Sequence, residues 1–213
     1  MTADLIKGGR LILFFSLLLG LTGCGTVPKI IFLKDPLSSE EHVRLGLSYE
    51  GQGQWDLALL EYEAALKKGG SPSVIYGYRG NVYFSKKDYP SAKDAYQKSL
   101  SENPQNGPVL NNLAFVYLVQ KKNLKEAERL IRSAIEIDPS RKAYYLDTLG
   151  TVFLERDEPD LALSAYREAE AIAPGDLAFL RHLETRQKRV LDLMEKTPSG
   201  EGDSSLGEET DGF

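Results

Sequence analysis

In 213 residues there is one cysteine, one tryptophan, two histidines and two methionines, so the usual materials of site chemistry are scarce. A single thiol, Cys24, excludes an intrachain disulfide. No histidine pair stands at the spacing of a helical zinc site. No Gly-rich loop leads into Lys and Ser or Thr to cradle a phosphate. Basic excess is absent too. The 26 Lys and Arg face 31 Asp and Glu, a net charge of −5, and a nucleic-acid partner needs a basic face. The chain also lacks a long apolar run. The longest, residues 11–21, would reach only ~17 Å as a helix at ~1.5 Å per residue. A hydrocarbon core is ~30 Å thick, so this run is too short for a comfortable span.

What surrounds the run gives it another use. Lys7 and Arg10 precede it and small residues end it, the pattern of an export signal. The stretch Leu21-Thr22-Gly23-Cys24 resembles the lipobox of bacterial lipoproteins. That resemblance implies cleavage before Cys24, a diacylglycerol on its sulfur and often an acyl chain on the new amino terminus. Two or more acyl chains hold a membrane firmly where one binds marginally. We therefore expect residues 1–23 to be a lipoprotein signal peptide and 24–38 a lipidated cysteine with its tether. An uncleaved membrane helix and a conventional signal peptide are the competing readings. Gly25 stands where some bacterial families place Asp for inner-membrane retention. The resemblance thus implies an envelope protein, lipid-anchored at the outer membrane and facing the periplasm. Loss of residues 1–23 removes Asp4, Lys7 and Arg10 and leaves a charge of −6, of which −5 lies in residues 197–213.

The rest of the chain repeats. Gly46, Gly80, Ala114 and Gly150 each sit within a Leu-Gly-x-x-Tyr-like block, at spacings of 34, 34 and 36 residues. A second signature follows each block: Ala58 and Tyr62, Ala92 and Tyr96, Ala127, then Ala162 and Tyr166. Pro72, Pro104, Pro139 and Pro174 close the units, since proline cannot donate its amide and disfavours helix in the residue before it. This resembles the tetratricopeptide repeat, a 34-residue helix–turn–helix unit. The fold implied is all-α: an α-solenoid of four units, at about 39–72, 73–106, 107–142 and 143–174. The family's fourth-position tryptophan is replaced by His42, Tyr76, Leu110 and Leu146. One extra residue is expected in the turn at Lys121-Lys122-Asn123-Leu124, another near Ser140-Arg141-Lys142. Ser38 and Glu41 have capping-box spacing, which places the first helix start there.

Stacked repeats need a polar end. Residues 175–196 are expected to form a capping helix, with Leu177, Leu180, Leu183, Val190, Leu191 and Met194 inward. Residues 197–213 combine Gly, Ser and acids and are expected to be disordered. Residues 29–33 are apolar. They either pack on the first helix or add as a strand to a partner.

No convergent set of catalytic groups can be placed on this framework, and the one thiol is expected to carry lipid. We expect no enzyme, no metal site and no cofactor beyond the covalent lipid on Cys24. Binding remains, on the concave surface that a repeat stack creates. The resemblance implies a groove lined by Val43, Leu47 and Glu50 from unit 1, and by Val74, Gly77, Asn81 and Phe84 from unit 2. Unit 3 would give Asn111, Phe115 and Leu118, and unit 4 Tyr144, Asp147, Thr151 and Leu154. The cap would add Arg181 and Thr185. Asparagine amides can donate to and accept from a peptide backbone. A Lys and Arg cluster for a carboxylate tail is missing. The expected partner is another envelope protein or peptide, with the membrane engaged through the lipid, and neither nucleic acid nor a small-molecule substrate. The expected role is an anchored adaptor, in pilus or secretion-type assembly by analogy. A non-catalytic accessory of an envelope peptidase or cell-wall hydrolase is the alternative.

Overall fold

The computed structural model describes residues 35–173 and 175–196. The chain divides into two compact units, Met1–Pro36 and Leu37–Phe213. Only Asp35 and Pro36 of the first are described. The lipobox-like stretch 21–24, the apolar residues 29–33 and the acidic tail lie outside the described residues.

From Leu37 on, the described residues form nine α-helices and no strand. They pair as α1 (Ser39–Gly51) with α2 (Trp55–Lys67), α3 (Pro72–Ser85) with α4 (Tyr89–Glu102), α5 (Gly107–Val119) with α6 (Leu124–Ile137), and α7 (Lys142–Glu155) with α8 (Pro159–Ala171). A single helix, α9 (Leu177–Lys196), follows. The first helix of each pair is called A and the second B. Consecutive A helices also touch, as α1–α3, α3–α5 and α5–α7, whereas consecutive B helices make no comparable contact. The stack is therefore drawn together on the A side and splayed on the B side, which makes the A face concave.

Local chemistry sets the helix ends. Ser38 caps α1 as expected: its hydroxyl accepts from Glu41 N–H at 3.2 Å, and Glu41 Oε2 accepts from Ser38 N–H at 2.7 Å. Hydrogen bonding from Ser38 to the Glu41 carboxyl, first from its backbone N–H and then from its side chain, holds that carboxyl below its ordinary value. The A–B turns share one closure. The carbonyls of Tyr49, Tyr83, Tyr117 and Phe153 each accept the N–H five residues on, at 2.8 to 3.0 Å. Three turns hold one left-handed residue, Gly53, Lys87 or Asp157. The turn in unit 3 is one residue longer, as expected, and holds two, Lys121 and Asn123. The stretch where the second extra residue was expected forms a 3-10 turn, Pro139–Arg141.

The prolines divide by role. Asn103 is extended ahead of Pro104, and Asp138 has left the helical region (φ −131°, ψ 74°) ahead of Pro139, so those two do end helix B. Pro72 does not. Helix α2 stops at Lys67, Gly69 follows at φ +80°, and Pro72 opens α3, where its missing N–H costs nothing.

Between A and B the spacing is set by a tyrosine lying on a glycine. A Cβ on Gly46 would sit 2.4 Å from Tyr62 Cε1, on Gly80 2.4 Å from Tyr96 Cε1, and on Gly150 2.6 Å from Tyr166 Cε1. Unit 3 breaks both halves of the pattern together: Ala114 replaces the glycine and Ile131, fully buried, stands in the tyrosine's place.

The cap is helix A of an incomplete fifth unit. Asp176 accepts from the N–H groups of Ala178 and Phe179 at its start, at 2.9 and 3.3 Å. Leu183 and Val190 are fully buried, and Leu180 and Met194 half-buried. Leu177 and Leu191 are not inward as expected but 69% and 41% exposed. The physical reason is that α9 packs mainly on α8, so only a narrow stripe is covered. Phe179 turns in instead, its ring 4.5 Å from that of Tyr144.

Candidate protein-binding groove

The buried tyrosines organise the concave face as well as the core. Tyr62 donates its hydroxyl to Glu50 Oε2 at 2.8 Å, Tyr96 to Asn81 Oδ1 at 2.9 Å, and the Tyr166 hydroxyl meets Thr151 Oγ1 at 3.1 Å. Each B-helix phenol therefore passes through its repeat and holds a groove side chain from below. Where unit 3 carries Ile131, the groove position matching Asn81 and Thr151 is Phe115, which asks for no hydrogen bond. Burial comes first in pushing the Tyr62, Tyr96 and Tyr166 phenols above their ordinary value, with the Glu50 carboxylate adding to the lift at Tyr62.

The sign follows from linkage. The folded state keeps these protons where the unfolded chain loses them, at about pH 10. Their contribution to stability is complete below that pH and falls as pH rises further. In an alkaline titration we expect Tyr62, Tyr96 and Tyr166 to keep their protons above the ordinary tyrosine range, then to ionise in one step that coincides with loss of helical circular dichroism. Uniform ionisation near pH 10 with the helix retained would contradict this.

A recess of ≈ 290 Å³ lies where α1, α3 and α5 converge, lined by Glu50, Asn81, Phe84, Ser85, Tyr96, Asn112 and Phe115. Asn112 Nδ2 donates to the same Asn81 oxygen at 3.0 Å. The rings of Phe84 and Phe115 meet at 5.6 Å, tilted by 51°, and Phe84 also leans on Tyr89 at 5.6 Å. Phe115 is 36% exposed although its helix is otherwise largely buried. Leu47 is exposed to 40% and Val43 is half-buried.

The expected groove residues are thus placed unevenly. Asn81, Phe84 and Phe115 come together in one recess. Leu118 does not line the groove. It is 5% exposed and packs in the core, because α5 is wedged between two repeats and apolar nearly all round. Gly77 is buried too, with Val109 so close that a Cβ would lie 3.3 Å from its Cγ2. Asn111 is half-buried with Oδ1 enclosed, and its neighbour Asn112 reaches the recess instead. An amide was expected here from Asn111, but a one-residue step turns a helix by about 100° and brings Asn112 to the recess in its place.

Unit 4 is partly occupied by the cap. Asp147 Oδ2 meets His182 Nε2 at 3.2 Å, and its Oδ1 lies 3.6 Å from Arg186 Nε, an ion-pair separation too long for a hydrogen bond. Tyr144 keeps 42% exposure beside Phe179, and Thr151 and Leu154 are half-buried. His182 and Arg186, not the expected Arg181 and Thr185, are the cap residues that meet the groove side chains. The other histidine, His42, is 4% exposed and bonded through Nδ1 to Glu61 at 2.7 Å, so it fills the missing tryptophan's place as a core group. Among the described residues no helix is long and apolar enough to cross a membrane.

Comparison with known proteins agrees with this architecture. Two family models described as tetratricopeptide repeat match residues 43–108 and 83–149. The type IV pilus assembly protein PilF of Pseudomonas aeruginosa is 26% identical over 197 residues, covering 86% of this chain and 78% of that protein. The photosystem I assembly protein Ycf3 of Prochlorococcus marinus is 31% identical over 45% of this chain and 61% of its own length. Among solved structures, the APC/C hetero-tetramer Cut9-Hcn1 superposes with a TM-score of 0.62 at 20% identity. That likeness covers 72% of this chain and spans 30% of the other, and it bears on the fold alone. Repeat signatures, paired helices and family models coincide over residues 43–149, and the chain is an α-solenoid of tetratricopeptide repeats, the architecture of a protein-interaction adaptor.

Proposed function

We propose that this adaptor works in the bacterial cell envelope, lipid-anchored through Cys24 at the outer membrane, and holds a peptide segment of another envelope protein in its concave groove. The observation that carries the binding half is the recess of α1, α3 and α5. It sets exposed phenylalanine beside oriented amides. Apolar pockets with a few placed polar groups are the usual form of a recognition site. The lipobox at residues 21–24 supports the anchor. A relative named for type IV pilus assembly supports an assembly role of that kind. Tethering raises the effective concentration of a partner on the same membrane, so modest affinity suffices.

The test is recovery of partners from source-organism membranes with the wild type beside a Leu47→Glu, Phe115→Glu variant. Both side chains are exposed, so the variant should fold. We expect the partner bound by wild type, a pilus or secretion component, to be lost from the variant. Identical recovery would remove the groove from the mechanism, and recovery of a peptidase or hydrolase would favour the accessory role. In the same cells wild type should carry lipid mass on Cys24 and sediment with membranes.

A further inference from the structure

We propose that the recess of α1, α3 and α5 selects a peptide in which a basic side chain stands next to a bulky apolar one. This deepens the groove reading above and rests on it. Three observations combine.

The first is charge. Among the residues lining the recess Glu50 alone is charged, and among the described residues no lysine or arginine pairs with it. One of its oxygens takes the Tyr62 hydroxyl, and the other has no donor from the described chain. Its field reaches across the recess floor, since it adds to the burial that lifts the Tyr96 phenol. A carboxylate in a partly enclosed site, without its own cation, attracts a cationic side chain and repels an acidic one.

The second is the amide pair. Asn81 Oδ1 receives two donors, the Tyr96 hydroxyl and Asn112 Nδ2. That fixes which way each amide faces. The Asn81 Nδ2 donor and the Asn112 Oδ1 acceptor are left without partners in the described chain, one donor and one acceptor on adjacent helices. This is the complement of a peptide unit, which offers one C=O and one N–H. It binds main chain and does not care about sequence.

The third is the apolar wall. Phe84 and Phe115 stand at 5.6 Å with Phe115 36% exposed, so a bulky apolar side chain can cover a surface whose rings are already packed on each other. Such preformed aromatic surfaces bind at low entropic cost. Sequence selection then comes from the Glu50 charge and this wall together.

The experiment uses three labelled ten-residue peptides that differ only at their centre: Lys-Phe, Glu-Phe and Lys-Ser. Binding to the full chain from Cys24 onward is read by fluorescence anisotropy. We expect Lys-Phe to bind about tenfold tighter than either other peptide, a difference near 1.4 kcal/mol. Glu50→Gln keeps the bond to Tyr62 and should abolish the Lys-over-Glu preference. Glu50→Lys should reverse it, and Phe115→Ala should abolish the Phe-over-Ser preference. Unchanged circular dichroism checks the fold of each variant. The proposal is overturned if Glu-Phe binds wild type as well as Lys-Phe, if Glu50→Gln leaves the preference intact, or if no peptide binds. Those results leave the groove itself standing, unless the Leu47→Glu, Phe115→Glu variant also recovers every wild-type partner.

Discussion

Gly80→Ala should destabilise the protein by about 1–3 kcal/mol, the cost of forcing an extra carbon into a packed core. In an ordinary exposed helix the same exchange gains about 1 kcal/mol, so the expected sign is reversed. The new Cβ would lie 2.4 Å from Tyr96 Cε1, and the ring has nowhere to go. It is 2% exposed and is held at its far end by Asn81. The chain itself contains the remedy. Unit 3 packs Ala114 where the other units have glycine, and Ile131 where they have tyrosine. Tyr96→Ile alone should be costly, because it opens a void and releases Asn81. The double variant Gly80→Ala, Tyr96→Ile should cost less than the two single changes together, with a coupling of about 1 kcal/mol or more. Urea denaturation of the four proteins gives the cycle. Simple additivity would mean that the glycine and tyrosine do not constrain each other.

That coupling reaches the groove. The phenol that needs the glycine also fixes Asn81, and Asn81 fixes Asn112. Core packing and the orientation of the binding amides are one device in unit 2. In unit 3 neither part is needed, since Phe115 occupies the matching groove position. A repeat can therefore trade a tyrosine for isoleucine only where its groove position is apolar.

The solenoid was legible before any coordinates because it rests on local rules. Capping at Ser38, the 34-residue recurrence of Gly46, Gly80 and Ala114, and the extra residue at the Lys121 turn all depend on near neighbours in sequence. The groove was legible only in outline. One register serves every unit in the sequence, whereas helix rotation is set by packing between units. Leu118 was expected outside and is inside, while Asn112 took the place given to Asn111. Asp147 was expected to face a ligand and faces His182 and Arg186, 35 and 39 residues further on. The link between glycine and tyrosine was visible as two separate patterns. Only distances across the helix pair show that they are one contact.

Leu183→Ala should cost about 2–5 kcal/mol, the range for a large side chain deleted from a core. Its effect should stay at one end of the molecule. Leu183 is fully buried, and with Val190 it is one of two such side chains holding a helix that packs mainly on α8. In a repeat stack each unit depends on its neighbours, so loss at the last helix does not spread far. Amide exchange should speed up across α9 and parts of α7 and α8, while α3 to α5 keep their protection. Freed of α9, Tyr144 loses Phe179 and Asp147 loses His182 and Arg186, which uncovers the unit 4 end of the groove. Peptide binding at the α1, α3 and α5 recess should be unchanged in this variant. Loss of protection spread evenly from α1 to α9 would mean that the units fold as one block. A weaker recess would mean that the cap supports the binding site across two repeats. The recess and the cap share no side chain, so what is expected is a stable reading surface at one end and a separable closing helix at the other.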